Sequence, residues 1–133
     1  MVDTGMEILS SRILLRPKDY DATLAFYRDT LGLAVARDYG AGMVFFAGQS
    51  LIEIAGHGSA DGPPTAFPGA LWLQVRDVYA AQADLESRGA SISRAAQQEP
   101  WGLHEMHVAA PDGVTLIFVQ IPPDHPLRKD TRR

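Results

Sequence analysis

The chain reads as an α+β fold of two tandem βαβββ modules whose sheets come together. Two observations carry this reading. The first is a repeat: Ile13-Leu14-Leu15 leads through Arg16-Pro17-Lys18-Asp19 into a helical segment ending Leu31-Gly32-Leu33. Later, Leu71-Trp72-Leu73-Gln74-Val75 leads through Arg76-Asp77 into one ending Ser87-Arg88-Gly89. Asp77 lies 58 residues after Asp19, and Gly89 lies 57 after Gly32. The second observation is that three short apolar runs follow each helix. A repeat of this kind arises when one unit cannot cover its own sheet and a second copy completes it. Two curved sheets brought together make a cleft.

The elements follow in order. Ser10 to Arg16 is the first strand, closed by Pro17, which lacks a ladder donor. Asp19 or Asp21 can cap the next helix, whose apolar stripe is Leu24, Tyr27 and Leu31, with Phe26 alongside. Gly32 terminates it by accepting the left-handed conformation. Ala34 to Tyr39, Met43 to Ala47 and Ser50 to Ala55 are strands separated by Gly40, Gly42 and Gly48. The breaker-rich run from Gly56 to Pro64 reads as a mobile linker. A strand from Ala70 to Arg76 and a helix over Val78 to Arg88 open the second unit. Strands follow at Ser91 to Ala95, Leu103 to Ala109 and Val114 to Ile121, the last two joined by the Pro111-Asp112-Gly113 turn. The organisation is one domain over 8–121, with module one at 8–55, a linker at 56–69 and module two at 70–121. A tail at 122–133 should fray.

Composition narrows the function classes. With 133 residues, 46% of them hydrophobic, the chain can bury a sizeable core as one domain. No apolar stretch approaches the roughly 20 residues of a membrane span, and Met1 to Glu7 has no secretory-signal pattern. There are no cysteines, which removes disulfides and thiolate chemistry and fits a cytoplasmic protein. A net charge of −4 argues against a nucleic-acid partner and gives a weak preference for a cationic ligand. No nucleophile elbow, phosphate loop or dinucleotide fingerprint is present.

Two strings are more specific: Leu24-Ala25-Phe26-Tyr27-Arg28-Asp29-Thr30-Leu31-Gly32-Leu33 after Arg16-Pro17-Lys18-Asp19, and Pro100-Trp101-Gly102 with Pro111-Asp112-Gly113. On these the chain, over about residues 8 to 121, resembles the vicinal oxygen chelate superfamily of glyoxalases, bleomycin-resistance proteins and extradiol dioxygenases. The resemblance implies cup-shaped mixed sheets with helices on the outer faces, a cavity inside each cup, and a homodimer, often with cavities shared between subunits. It also implies a divalent metal held by four side chains, two per module, that polarises neighbouring substrate oxygens. Registered on the motifs, those positions are Arg12, Glu53, Ala70 and Ile117, of which only Glu53 is a ligand type.

The better match is therefore the branch of the resemblance that binds drugs without metal or cofactor, stacking planar groups on aromatic rings and meeting cations with carboxylates. Alternation along the strands selects the inward candidates Arg12, Glu53, Trp72, Gln74, Glu105 and His107, with Trp101 at the rim. Each has a plainer reading: Trp72 as filler, Arg12 and Glu53 as an ion pair, Glu105 and His107 as a partly solvated pair. His104, His57, His125 and Asp112 read as structural. The expected function is metal-independent binding and sequestration of a small planar or cationic molecule by a cytoplasmic homodimer with no membrane partner. The alternatives are a lyase, isomerase or dioxygenase with a relocated metal at Glu53, Glu105 and His107, and a scaffold for another protein.

Overall fold

A computed structural model describes residues 6–57, 67 and 69–126. Most of the linker expected at 56–69, and the tail beyond 126, lie outside the described residues. The described residues form eleven elements. In module one they are β1 (Ile13–Leu15), α1 (Tyr20–Ala25) with a π-helical continuation over Phe26–Thr30, β2 (Val35–Asp38), β3 (Gly42–Ala47) and β4 (Ser50–Ala55). Module two has β5 (Ala70–Gln74), α2 (Val78–Ser87), β6 (Ser91–Gln98), β7 (His104–Ala109) and β8 (Thr115–Gln120). The two sheets have equivalent orders, β1-β4-β3-β2 and β5-β8-β7-β6. In each, the strand before the helix pairs parallel to the last strand, and the other pairings are antiparallel. The α+β architecture of two βαβββ modules is the one the repeat implies.

The matched aspartates are matched caps. Asp19 Oδ1 accepts from the Ala22 N–H at 3.0 Å, and Asp77 Oδ1 from the N–H groups of Tyr79 and Ala80, both at 3.1 Å. These bonds satisfy donors that the first helical turn leaves open. The matched glycines both end their helices at positive φ, 68° for Gly32 and 81° for Gly89. Module one has one residue more between cap and glycine than module two, which explains the repeat distances of 58 and 57. That surplus is taken up by the π turn, where the Leu31 N–H donates to the Phe26 carbonyl at 2.8 Å.

Alternation divides each sheet. Met43, Phe45, Ile52, Ile54, Leu71, Met106, Val108, Leu116 and Phe118 join Phe26, Tyr27, Val78 and Leu85 from the helices in one core that spans both modules. Further ties cross the junction. The Thr23 hydroxyl donates to Asp112 Oδ2 at 3.0 Å, and Arg88 Nη1 to the Thr30 carbonyl at 3.4 Å. Asp112 thus joins the modules rather than serving its own turn, which Gly113 closes by donating to the Ala110 carbonyl at 3.1 Å. The junction is reciprocal. The end of β1, Leu14 to Pro17, shares a cavity of about 250 Å³ with Ala110, Asp112 and Val114 at the β7–β8 hairpin tip. The end of β5, Trp72 to Arg76, shares a cleft of about 580 Å³ with Ala47 to Ser50 at the β3–β4 hairpin tip.

Three boundaries differ from expectation. β1 is only Ile13–Leu15, because Ser10 to Arg12 find no ladder partner. β6 runs on to Gln98 through two register shifts against β7, past the expected end at Ala95. The start of the tail is also held: His125 Nε2 lies 3.1 Å from the Trp101 carbonyl oxygen. No helix among the described residues is long and apolar enough to cross a membrane.

Candidate functional site

The face of each sheet turned away from its helix carries the polar candidates. In module one the register sets Leu14, Glu53, Val44 and Arg37 in one row across β1, β4, β3 and β2. In module two Trp72, Ile117, His107 and Arg94 form one row, and Gln74, Val119, Glu105 and Gln97 the next. The structure therefore places the candidates in two groups, one per sheet, and not in one constellation.

The first group centres on Glu53. Arg12 Nη1 donates to its Oε1 at 3.1 Å, and the Tyr39 hydroxyl donates to its Oε2 at 2.7 Å. The Tyr39 bond, followed by Arg12, holds the Glu53 carboxyl below the usual carboxylate range. The same bond, with desolvation and the Glu53 charge behind it, pushes the Tyr39 phenol up to about 12. The Arg37 guanidinium carbon lies 5.5 Å from the Tyr39 ring centre, and the His57 ring meets Tyr39 edge-on at 5.8 Å. Tyr39 can lie here because Gly42 has no side chain: a Cβ there would stand 2.5 Å from Tyr39 Cζ and 2.7 Å from the Ile54 carbonyl oxygen. Tyr39 and Arg37 were not among the sequence candidates. Gly42, two residues before Val44, was the signal available, since a glycine in a strand marks a close approach by another group.

The second group is closed by the chain itself. Glu105 is buried, and its Oε2 accepts from Trp101 Nε1 at 2.8 Å. Arg94 Nη2 hydrogen-bonds Glu99 Oε1, and also the Glu105 carbonyl at 3.2 Å. Leu103, Val119 and Ile121, backed by Ile117, form a small second core. Trp101 thus belongs to a latch that folds the 99–103 loop onto the sheet, and Glu105 is not an open carboxylate. His107 is half-buried between Arg94 and Ile117 in the ladder. His104 lies on the opposite face and bonds the Tyr79 hydroxyl through Nδ1 at 2.7 Å.

Trp72 and Gln74 open on the larger of the two junction cavities, which neither the Glu53 nor the Glu105 cluster lines. Trp72 is 50% exposed and stands in its wall with Gln74 and Arg76, facing Gly48, Gln49 and Ser50. Ser50 begins β4, so Glu53 is about 10 Å further along that strand by strand rise. Half-exposed Leu14 and Phe46 continue an apolar surface on the module-one face.

An α+β pair of βαβββ modules, reciprocally joined and open on the face away from the helices, is the class that fold and site define. The chain belongs to the glyoxalase/bleomycin resistance protein/dioxygenase superfamily, whose profile matches residues 10–118. Among similar solved structures is a glyoxalase/bleomycin resistance protein/dioxygenase from Nocardioides, with a TM-score of 0.72 and 14% identity, covering 94% of this chain and 91% of that one. A glyoxalase-related enzyme from Fulvimarina pelagi gives 0.69 and 21%, covering 86% and 90%. A lactoylglutathione lyase from Agrobacterium tumefaciens gives 0.62 and 18%, covering 87% and 94%. At these identities the likeness is one of fold. No curated protein matches the sequence significantly.

The residues present do not fit the metal of the family resemblance. Of its four positions, Ala70 and Ile117 offer no donor and Arg12 carries a fixed positive charge. Glu53, the one carboxylate, has each oxygen already bonded. The relocated alternative does not form either. Among the described residues no three His, Asp or Glu side chains come close enough to hold a metal, so Glu53, Glu105 and His107 stay apart.

Proposed function

We propose that this protein is a cytoplasmic, metal-independent binding protein that sequesters a small planar molecule in the cleft between Trp72 and the β3–β4 hairpin. One observation carries the reading: a half-exposed indole opens on a cleft of about 580 Å³ while the family's metal positions hold Arg12, Ala70 and Ile117. A cleft of that size suits a small-molecule ligand. An aromatic wall with a few amides recognises a planar body by stacking, and Gln49 and Gln74 supply directional hydrogen bonds. Leu14, Phe46 and Trp72, all 42–51% exposed, support a homodimer in which a second copy covers part of this face. The cationic preference expected from Glu53 loses its basis, because Arg12 already matches that charge.

Calorimetric titration with a panel of bicyclic aromatic compounds tests the reading. Binding to the wild type that Trp72→Ala abolishes is the expected result; no binding by any planar compound, or binding indifferent to Trp72, overturns it. Elemental analysis tests metal independence. The expected outcome is far less than one divalent ion per subunit and no rise in melting temperature with zinc, nickel, manganese or iron.

A further inference from the structure

The charge of the ligand follows from the wall of the cleft, on the assumption that the binding reading above holds. We infer that the ligand carries an anionic group, of the carboxylate type, on a planar body, and that Arg76 reads it. Among the described residues lining the cleft, Arg76 is the one charged side chain. It is exposed and makes no hydrogen bond or ion pair with a described residue. Its neighbour Asp77 does not neutralise it through a direct bond, because Asp77 Oδ1 is turned to the Tyr79 and Ala80 N–H groups as the α2 cap.

Trp72 and Gln74 alternate on β5 and so point to the same side of the sheet about 7 Å apart, and Arg76, in the bend just after the strand, lines the same cleft. This row presents a stacking surface, an amide and a guanidinium fork in sequence. A guanidinium matches a carboxylate with two parallel charge-assisted N–H donors, whereas a neutral amide offers one uncharged acceptor and an ammonium offers none. The carboxylate that would attract a cation, Glu53, lies outside the cleft wall and is bonded on both oxygens. Beyond it the same face adds two more guanidiniums, Arg12 against Glu53 and Arg37 against the Tyr39 ring. Around Glu53, two arginines thus stand against one carboxylate. A cationic ligand in the cleft meets Arg76 and, among the described residues, no lining carboxylate, which disfavours it at close range.

Three shape-matched probes decide the matter: 2-naphthoate, 2-naphthamide and 2-naphthylmethylammonium, titrated calorimetrically at neutral pH and low salt. The naphthoate should bind about tenfold or more tighter than the amide, the margin of a charge-assisted pair. Arg76→Gln should remove that margin while leaving the amide unchanged, and the margin should shrink at high salt. Arg28→Gln, which changes a cation paired with Asp29 outside the cleft, should leave it intact. Tighter binding of the ammonium, or a naphthoate margin that survives Arg76→Gln, overturns the inference while leaving the pocket standing. Binding of none of the three overturns the pocket reading and this inference together.

Discussion

Replacing Gly42 by alanine attacks the Glu53 cluster through packing alone. Gly42 opens β3 opposite Ala55, and its φ is not in the left-handed region, so alanine meets no conformational objection there. The difficulty is space. The new methyl would stand 2.5 Å from Tyr39 Cζ and 2.7 Å from the Ile54 carbonyl oxygen. Ile54 is fixed by its ladder pairing with Met43, so the Tyr39 ring must swing away. Its 2.7 Å bond to Glu53 then breaks. A hydrogen bond to a charged group contributes about 1.5–3 kcal/mol, here about 1–2 because the pair is partly solvated. Residual crowding against the backbone adds about 1–3 kcal/mol. Together the loss is roughly 2–5 kcal/mol, a large share of the about 5–15 kcal/mol that holds a domain of this size. Urea unfolding followed by circular dichroism measures it. Ultraviolet titration should show the Tyr39 phenol returning from about 12 toward the ordinary value. In a Tyr39→Ala background the same substitution should be milder by about 1–2 kcal/mol, since the hydrogen bond is already gone. Equal losses with and without the ring, or a loss within about 0.5 kcal/mol of zero, would refute the steric argument.

Further outcomes rest on the same contacts. Asp77→Ala, which strips two N–H groups of their acceptor, should lower stability by about 1–2 kcal/mol, and Asp19→Ala, which strips one, by less; thermal melts compare them. Trp101→Phe leaves buried Glu105 without its indole donor and should lower stability by about 1–3 kcal/mol in urea, whereas a change near zero would mean the 99–103 loop is not latched. Stability should fall as pH rises from about 10 to about 12. Tyr27, desolvated and beside Asp112, and Tyr39 are both pushed up to about 12, so between those limits the native state keeps protons that the unfolded chain releases. The double variant Tyr27→Phe, Tyr39→Phe should flatten that decline. At the other end, Glu53 sits below its ordinary value, so its contribution is complete near neutrality and disappears as acid protonates it, an effect absent from Glu53→Gln.

The fold was legible because it is written in short-range terms. Alternation in Ser50 to Ala55 assigns Ile52 and Ile54 to the core and Glu53 to the other face, as found. Asp19, Gly32, Asp77 and Gly89 mark helix ends by local chemistry that needs no tertiary context. The site was legible only in part, because faces can be read from period two but contacts cannot. The Arg12–Glu53 pair was one of two readings open to the sequence, and the structure forms it. Tyr39 escaped notice because it lies at the end of β2, where a bulge and glycine turns break the alternation that would aim its side chain. Glu105 was aimed correctly, yet its availability depended on a loop indole four residues earlier, which no strand pattern reports. The cleft itself joins the β3–β4 hairpin tip of one module to the end of β5 in the other, so its lining appears only once they dock.

The π turn in the first helix fixes a phase relation between helix and sheet. Each added α-helical residue rotates the chain leaving the helix by about 100°. Had the surplus residue of module one been absorbed as ordinary helix, Leu31 and the Gly32 turn would leave the axis about 100° away from their counterparts in module two. The next strand would then be launched off its sheet. The wide turn over Phe26–Thr30 cancels that rotation, and both copies deliver their next strand in the same direction despite unequal length. The two modules thus differ by one residue in sequence and by none in phase. A first helix shortened by that residue could close as plain α-helix and still aim β2 correctly, whereas one shortened by two could not.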